Sequence, residues 1–196
     1  MNKLLADIRQ CRLCQSQLPQ EAKPILQAVS NSKILIAGQA PGLATHNKGI
    51  PFDDKSGDRL RLWLGVDKTQ FYSPELFAII PMGFCFPGSG KSGDLPPIPK
   101  CADTWRQPLM TELKHLQLTI VIGQYAIKWH LPEVIQQQRT ITPIIKQWQQ
   151  LLEKDIIALP HPSPRNNIWL KKNPWFEVEV LPLLKNKVSD IISSNS

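Results

Sequence analysis

The chain is expected to fold as a three-layer α/β/α domain around a central four-stranded, mainly parallel sheet. Three observations predict this. Four short apolar runs, at 33–37, 76–80, 118–123 and 156–159, read as strands buried on both faces. Segments of helical character separate them, the alternation that builds a parallel sheet covered by helices. Each run also opens into a loop at a glycine or proline, namely Gly38, Pro81, Gly123 and Pro160.

At 196 residues and 42% apolar content, the chain can bury one sizeable core, so a single domain over 1–196 is expected, ending in a polar tail from about residue 189. A formal charge of +7 and a pI near 9.3 favour a polyanionic partner. No apolar run approaches the roughly 18 residues that span a bilayer, and the first residues lack the apolar core of a signal peptide. A cytosolic protein without a membrane partner is therefore expected. In that reducing compartment the four cysteines read as metal ligands or buried thiols rather than disulfides.

In chain order, residues 2–14 are helix-compatible, with Leu4, Leu5 and Ile8 forming a stripe that runs into Cys11 and Cys14. A polar stretch with Pro19 and Pro24 leads to the first strand, which opens into the turn Gly38, Gln39, Ala40, Pro41 and Gly42. No periodicity marks 43–55, and Ser56 is placed to cap a helix reaching about Leu64, with Leu60, Trp63 and Leu64 facing inward. After the second strand comes a Gly- and Pro-rich loop over 83–99, too long for a plain connector and bracketed by Cys85 and Cys101. A helix over 102–116 carries Pro108 as an irregularity, and a short helix over 124–130 follows the third strand. Thr142 and Pro143 start another helix through Trp148 and Leu152, and the fourth strand delivers the chain to His161. Pro174 opens a final helix that fades into 193–196.

In such sheets ligands bind beyond the carboxyl ends of the strands. The four loops then share one rim, which brings Gln39 beside His161 across 122 positions of sequence. Two polar signatures stand on that rim, the turn 38–42 and His161-Pro162-Ser163-Pro164, with Pro51-Phe52 between them. In this order and at strand ends they resemble the uracil-DNA glycosylase superfamily, over about residues 5 to 185. The cysteines, Cys11-x-x-Cys14 and then, after about seventy residues, Cys85 and Cys101 with fifteen between them, resemble the iron–sulfur, thermophile-type branch of that superfamily. Four thiolates suit a structural [4Fe–4S] cluster or zinc, which neither spacing nor composition separates, and unliganded core or surface cysteines remain the alternative.

The resemblance implies DNA as the partner, a monomer, and removal of uracil or another deaminated base by base flipping. His161 would donate a hydrogen bond to the base as it becomes anionic, where a lone histidine is otherwise a structural residue. Phe52 would cover the flipped base or serve as ordinary core. Gln39 matches the Gln or Glu position of the first motif, with Gly38, Ala40, Pro41 and Gly42 shaping the substrate pocket. Ser163, Pro164, Arg165 and Asn166 would reach the DNA, with Lys171 and Lys172 adding attraction to phosphate or only solvating their face. Trp169 and Trp175 read as core.

Two positions depart from the family pattern. Pro81 stands where the branch carries an asparagine that reads the uracil edge, and proline offers neither side-chain hydrogen bond nor N–H. Gln39-Ala40 supplies no carboxylate to activate water; Asp53, Asp54 and His46 lie in the right loop, with Asp53 or His46 the favoured candidates, although a loop carboxylate is more often solvated or a helix cap. Two alternatives to a glycosylase stay open: a non-catalytic or differently directed nucleic-acid-binding member of the fold, and a hydrolase of a free nucleoside or nucleotide.

Overall fold

The computed structural model describes all residues except Ser92, Gln137, Arg139, Asn195 and Ser196. Its strands are β1 (Ile34–Ala37), β2 (Phe77–Ile79), β3 (Ser89–Gly90), β4 (Gly93–Asp94), β5 (Leu118–Ile122) and β6 (Ile156–Leu159). Four of them form one sheet in the order β2-β1-β5-β6, every pairing parallel, while β3 and β4 make a separate antiparallel hairpin. The helices are α1 (Asn2–Arg9), α2 (Leu43–Lys48), α3 (Lys55–Leu64), α4 (Lys68–Phe71), α5 (Pro99–Glu112), α6 (Gly123–His130), α7 (Pro132–Gln136), α8 (Ile141–Lys146), α9 (Trp148–Leu152), α10 (Asn167–Lys172) and α11 (Leu181–Ser193).

Alternation along the central strands sends side chains to two cores. Leu35, Ala78 and Ile80 pack with Leu5 and Ile8 of α1 and Leu109 of α5. Ile34, Ile36, Phe77 and Ile79 pack with Leu60 and Leu64 of α3 and Leu184 and Val188 of α11. Burial on both faces is why these strands read as unbroken apolar runs. Trp169 and Trp175 lie half-buried against the second of these cores, as expected of core residues.

The structure corrects several boundaries. The first helix stops at Arg9, so Cys11 and Cys14 stand in the turns that follow it. The aperiodic stretch 43–55 contains α2, too short to show a stripe. Asp54, not Ser56, caps α3, accepting from the Gly57 N–H at 2.8 Å. The helix expected over 102–116 begins at Pro99, uses that proline in its first turn and ends at Glu112. α7 was not anticipated, and the helix expected from Thr142 divides at Gln147 into α8 and α9. After Pro174 the chain makes one wide π-helical turn, Phe176–Val180, before α11, which runs to Ser193 and so takes in the start of the tail expected from about residue 189. Of the expected tail, Asn195 and Ser196 lie outside the described residues.

Candidate active site

At the carboxyl ends of β1, β2 and β6 a cavity of about 560 Å³ opens, a size typical of small-molecule sites. It brings together Gly38 to Gly42, Phe52, Pro81, His161, Ser163, Arg165 and Asn166. Three of the four loops expected on the rim, those after β1, β2 and β6, therefore share one cavity, while the loop at Gly123 does not line it.

His161 follows β6 and is fixed by its own proline-stiffened turn. The Ser163 N–H donates to its Nδ1 at 3.2 Å, and the Asn166 side-chain amide donates to its carbonyl at 2.7 Å. Burial lowers the imidazole pKa below its ordinary value, with Asp54 and Asp94 pulling the other way. The ring is thus neutral at pH 7, and with Nδ1 accepting, its proton sits on Nε2 as a donor for the cavity. Ser163 caps the short 3-10 turn Pro164–Asn166, and Arg59 of α3 donates to its carbonyl at 3.1 Å.

Phe52 forms another wall. Its ring lies over Gly38, where an added Cβ would stand 3.5 Å from the ring edge, and it meets Phe71 edge-on at 6.2 Å. Its backbone is in the left-handed region, φ 55°, which a phenylalanine adopts only when its surroundings hold it there. Those surroundings are identifiable. Arg61, buried beside Asp58, donates to the Phe52 carbonyl at 3.2 Å, and Gly57 leaves room for that same oxygen, which would lie 1.7 Å from a Cβ at 57.

Across residues 26–185 the chain matches the uracil DNA glycosylase superfamily. It belongs to that superfamily. A solution NMR structure described as a candidate uracil DNA glycosylase from Methanosarcina acetivorans is similar at 17% identity and a TM-score of 0.45, covering 84% of this chain and 98% of that one.

Within this superfamily member, Asp53 and His46 are not among the residues that line the cavity. Asp53 pairs with Lys48 at 2.9 Å and Lys68 at 3.5 Å, and these contacts, the Lys48 hydrogen bond foremost, hold its carboxyl below the usual range. His46 lies beside Phe86, its Nδ1 buried without a partner among the described residues, and burial lowers its pKa. Gln39 does line the cavity, but its amide donates outward to the Leu95 carbonyl at 3.0 Å, tying the β1 loop to the β3–β4 hairpin. Pro164, Lys171 and Lys172 are exposed and stand outside the cavity wall.

Of the two carboxylates of the wall, sequence reasoning passed over Asp54 and missed Asp94. Asp54 stood next to the chosen Asp53, and its capping position was the available signal. Asp94 gave none, because only the hairpin fold carries it to the rim.

Behind Pro81 lies Arg106 of α5, 1% exposed, donating to the Ile80 and Pro81 carbonyls at 3.0 and 3.2 Å. Its other terminal nitrogen meets His130 Nε2 at 2.6 Å, and Trp129 covers its face at 5.0 Å. Burial and the neighbouring guanidinium push His130 down to about 3.

A second, small cavity of about 30 Å³ lies elsewhere, and Cys11, Cys14, Cys85 and Cys101 all line it. The Trp105 indole donates to Cys11 Sγ and the Phe84 N–H to Cys101 Sγ, each at 3.4 Å. Burial pushes the Cys85 thiol up to about 11 and that of Cys101 up to about 12. Among the described residues no three His, Cys, Asp or Glu side chains form a group ready to hold a single metal ion, so the thiols share a wall without converging on one point.

Proposed function

We propose that the protein is a DNA glycosylase that hydrolyses the N-glycosidic bond of uracil or another deaminated base. The observation that carries this is His161, neutral and with Nδ1 engaged, in a cavity that the Phe52 ring also lines. A flipped base would slide against Phe52 while His161 donates to the carbonyl oxygen on which negative charge collects as the bond breaks. Arg165, exposed at the mouth, and Arg59 beside Ser163 would meet flanking phosphates. Pro81 removes the branch's usual reader of the pyrimidine edge, which supports a broader choice of base than uracil alone.

The four cysteines fit a thiolate-bound cofactor: they come from two distant segments to one cavity, and two already receive N–H donors. A [4Fe–4S] cluster takes one thiolate per iron and suits a spread set. Zinc would draw all four sulfurs to about 2.3 Å of one point. When bound, such a group would pin the turn after α1 and both ends of the 83–99 loop to the sheet.

The test is a panel of oligonucleotides, single- and double-stranded, containing uracil, hypoxanthine or xanthine, incubated with anaerobically purified protein and then treated with alkali. Strand breaks at the modified base are expected. Intact strands together with salt-dependent binding would instead favour the non-catalytic DNA-binding reading, which Pro81 also suits. Turnover confined to free nucleosides would favour the third. Iron and acid-labile sulfide bound in equal amounts are expected on the same preparation, and stoichiometric zinc would overturn the cluster.

A further inference from the structure

The motif after β1 lacks a carboxylate, yet one stands where that motif would need it. Asp94, on the second strand of the β3–β4 hairpin, reaches back over the β1 loop so closely that a Cβ added to Gly42 would lie 3.0 Å from its Oδ2. It lines the same cavity as His161 and is one of two carboxylates whose charge acts on that imidazole. The position is built. The Ser89 hydroxyl donates to Asp94 Oδ1 at 3.2 Å, and the Leu95 N–H closes on the Gly88 carbonyl at 2.8 Å. The Gln39 amide pins the Leu95 carbonyl. Gly93, at φ 139°, has the Arg165 guanidinium stacked where a side chain would be, 2.5 Å from its Cβ position. A larger residue at 93 would displace Arg165 from the mouth.

The other carboxylate, Asp54, is differently engaged. Its Oδ1 accepts from the Gly57 N–H at 2.8 Å as the cap of α3, which spends it on the helix end. Among the described residues Asp94 caps no helix; its Oδ1 accepts from Ser89 and its Oδ2 is held toward the β1 loop.

We infer that Asp94 is the water-positioning carboxylate of the reaction, supplied by the hairpin in place of the missing acid of the β1 motif. This rests on the base-excision reading above. As the C1′–N bond breaks, its electron pair leaves with the base, whose developing charge His161 accommodates. A water held by Asp94 forms the new C1′–O bond and gives its proton to the carboxylate. The base is protonated from solvent, and Asp94 returns its proton to bulk water. The same negative charge, close to the sugar, favours the cationic oxocarbenium character of the transition state.

Two readouts test this. In single-turnover excision, Asp94→Asn is expected to lose about 100-fold, and Ser89→Ala, which frees the carboxylate, a few-fold, with thermal unfolding of both matching the wild type. The second readout needs no turnover: binding of two oligonucleotides that differ only at one abasic position, a cationic pyrrolidine against a neutral tetrahydrofuran. Wild type is expected to prefer the pyrrolidine by at least about tenfold, and Asp94→Asn to abolish the preference. A preference that survives in Asp94→Asn, or that disappears only in Asp54→Asn, overturns the assignment. A wild type that excises a base while Asp94→Asn keeps its cation preference removes Asp94 alone. A wild type that excises nothing and shows no preference removes the excision reading and this inference together.

Discussion

The rim cavity and the cysteine cavity make opposite use of the same physics. The rim cavity is large and open, and its polar groups are fixed by bonds behind them, so that His161 shows the ligand a donor whose other face is already committed to Ser163. The cysteine cavity is small, and burial holds Cys85 and Cys101 as neutral thiols well above their ordinary titration range. Positive charge from a metal would reverse that preference. On the proposed function, one site would meet a transient anion, whereas the other would gain stability on being filled. The 83–99 loop runs between them: it begins at the thiol wall with Gly83 and Cys85 and carries Gly93 and Asp94 to the rim.

The largest effect should come from the join. Cys85→Ser in cofactor-loaded protein is expected to cost about 4 kcal/mol, the stabilisation of a ligand at roughly a thousand times its dissociation constant, and so to lower the melting temperature by about 10 °C. Hydrogen exchange should show the hairpin at 88–95 opening with it. Equal melting with and without a chelator would separate the cavities and break the comparison.

Acid should strike the floor of the rim and spare the thiols. His130 titrates near 3 when folded, below the ordinary 6.5, through burial and the Arg106 charge. Its depressed pKa means that stability is complete above about pH 6.5 and is lost as the pH falls toward 3. Between pH 7 and 5 the loss is roughly 2 kcal/mol. His130→Gln keeps an acceptor for Arg106 without titrating, so its urea midpoint should vary less over that range. A profile as steep as the wild type would place the acid-sensitive group elsewhere.

The smallest of the three tests concerns the aromatic part of the cavity wall. Phe52→Leu retains apolar bulk but no aromatic face, and half-saturation in single-turnover excision should rise about tenfold, the value of one base–aromatic contact. An unchanged curve would return Phe52 to the role of core.

What could be read in advance follows from where the signals lie. The strands were legible because burial on both faces leaves apolar runs such as Ile34-Leu35-Ile36, and the rim was legible because parallel strands end together. His161, Phe52 and the four cysteines carried local signatures. Asp94 carried none: its place depends on a two-residue hairpin within a Gly- and Pro-rich loop, on Gly93 at positive φ and on a Gln39 contact 56 positions away. Choosing Asp53 rather than Asp54 failed for a related reason. Adjacent carboxylates look alike in sequence, and only the start of α3 at Lys55 turns one into a cap on the cavity wall and the other toward Lys48.

Excision under single turnover by wild type and His161→Ala, on uracil-containing single- and double-stranded DNA, bears most directly on the rim as a base-excision site. Removing one preorganised donor should slow excision by about 100- to 1000-fold while DNA affinity changes by less than about threefold, because the proposed backbone contacts are those of Arg165 and its neighbours. Equal rates for the two proteins would contradict the assignment of His161 to the departing base.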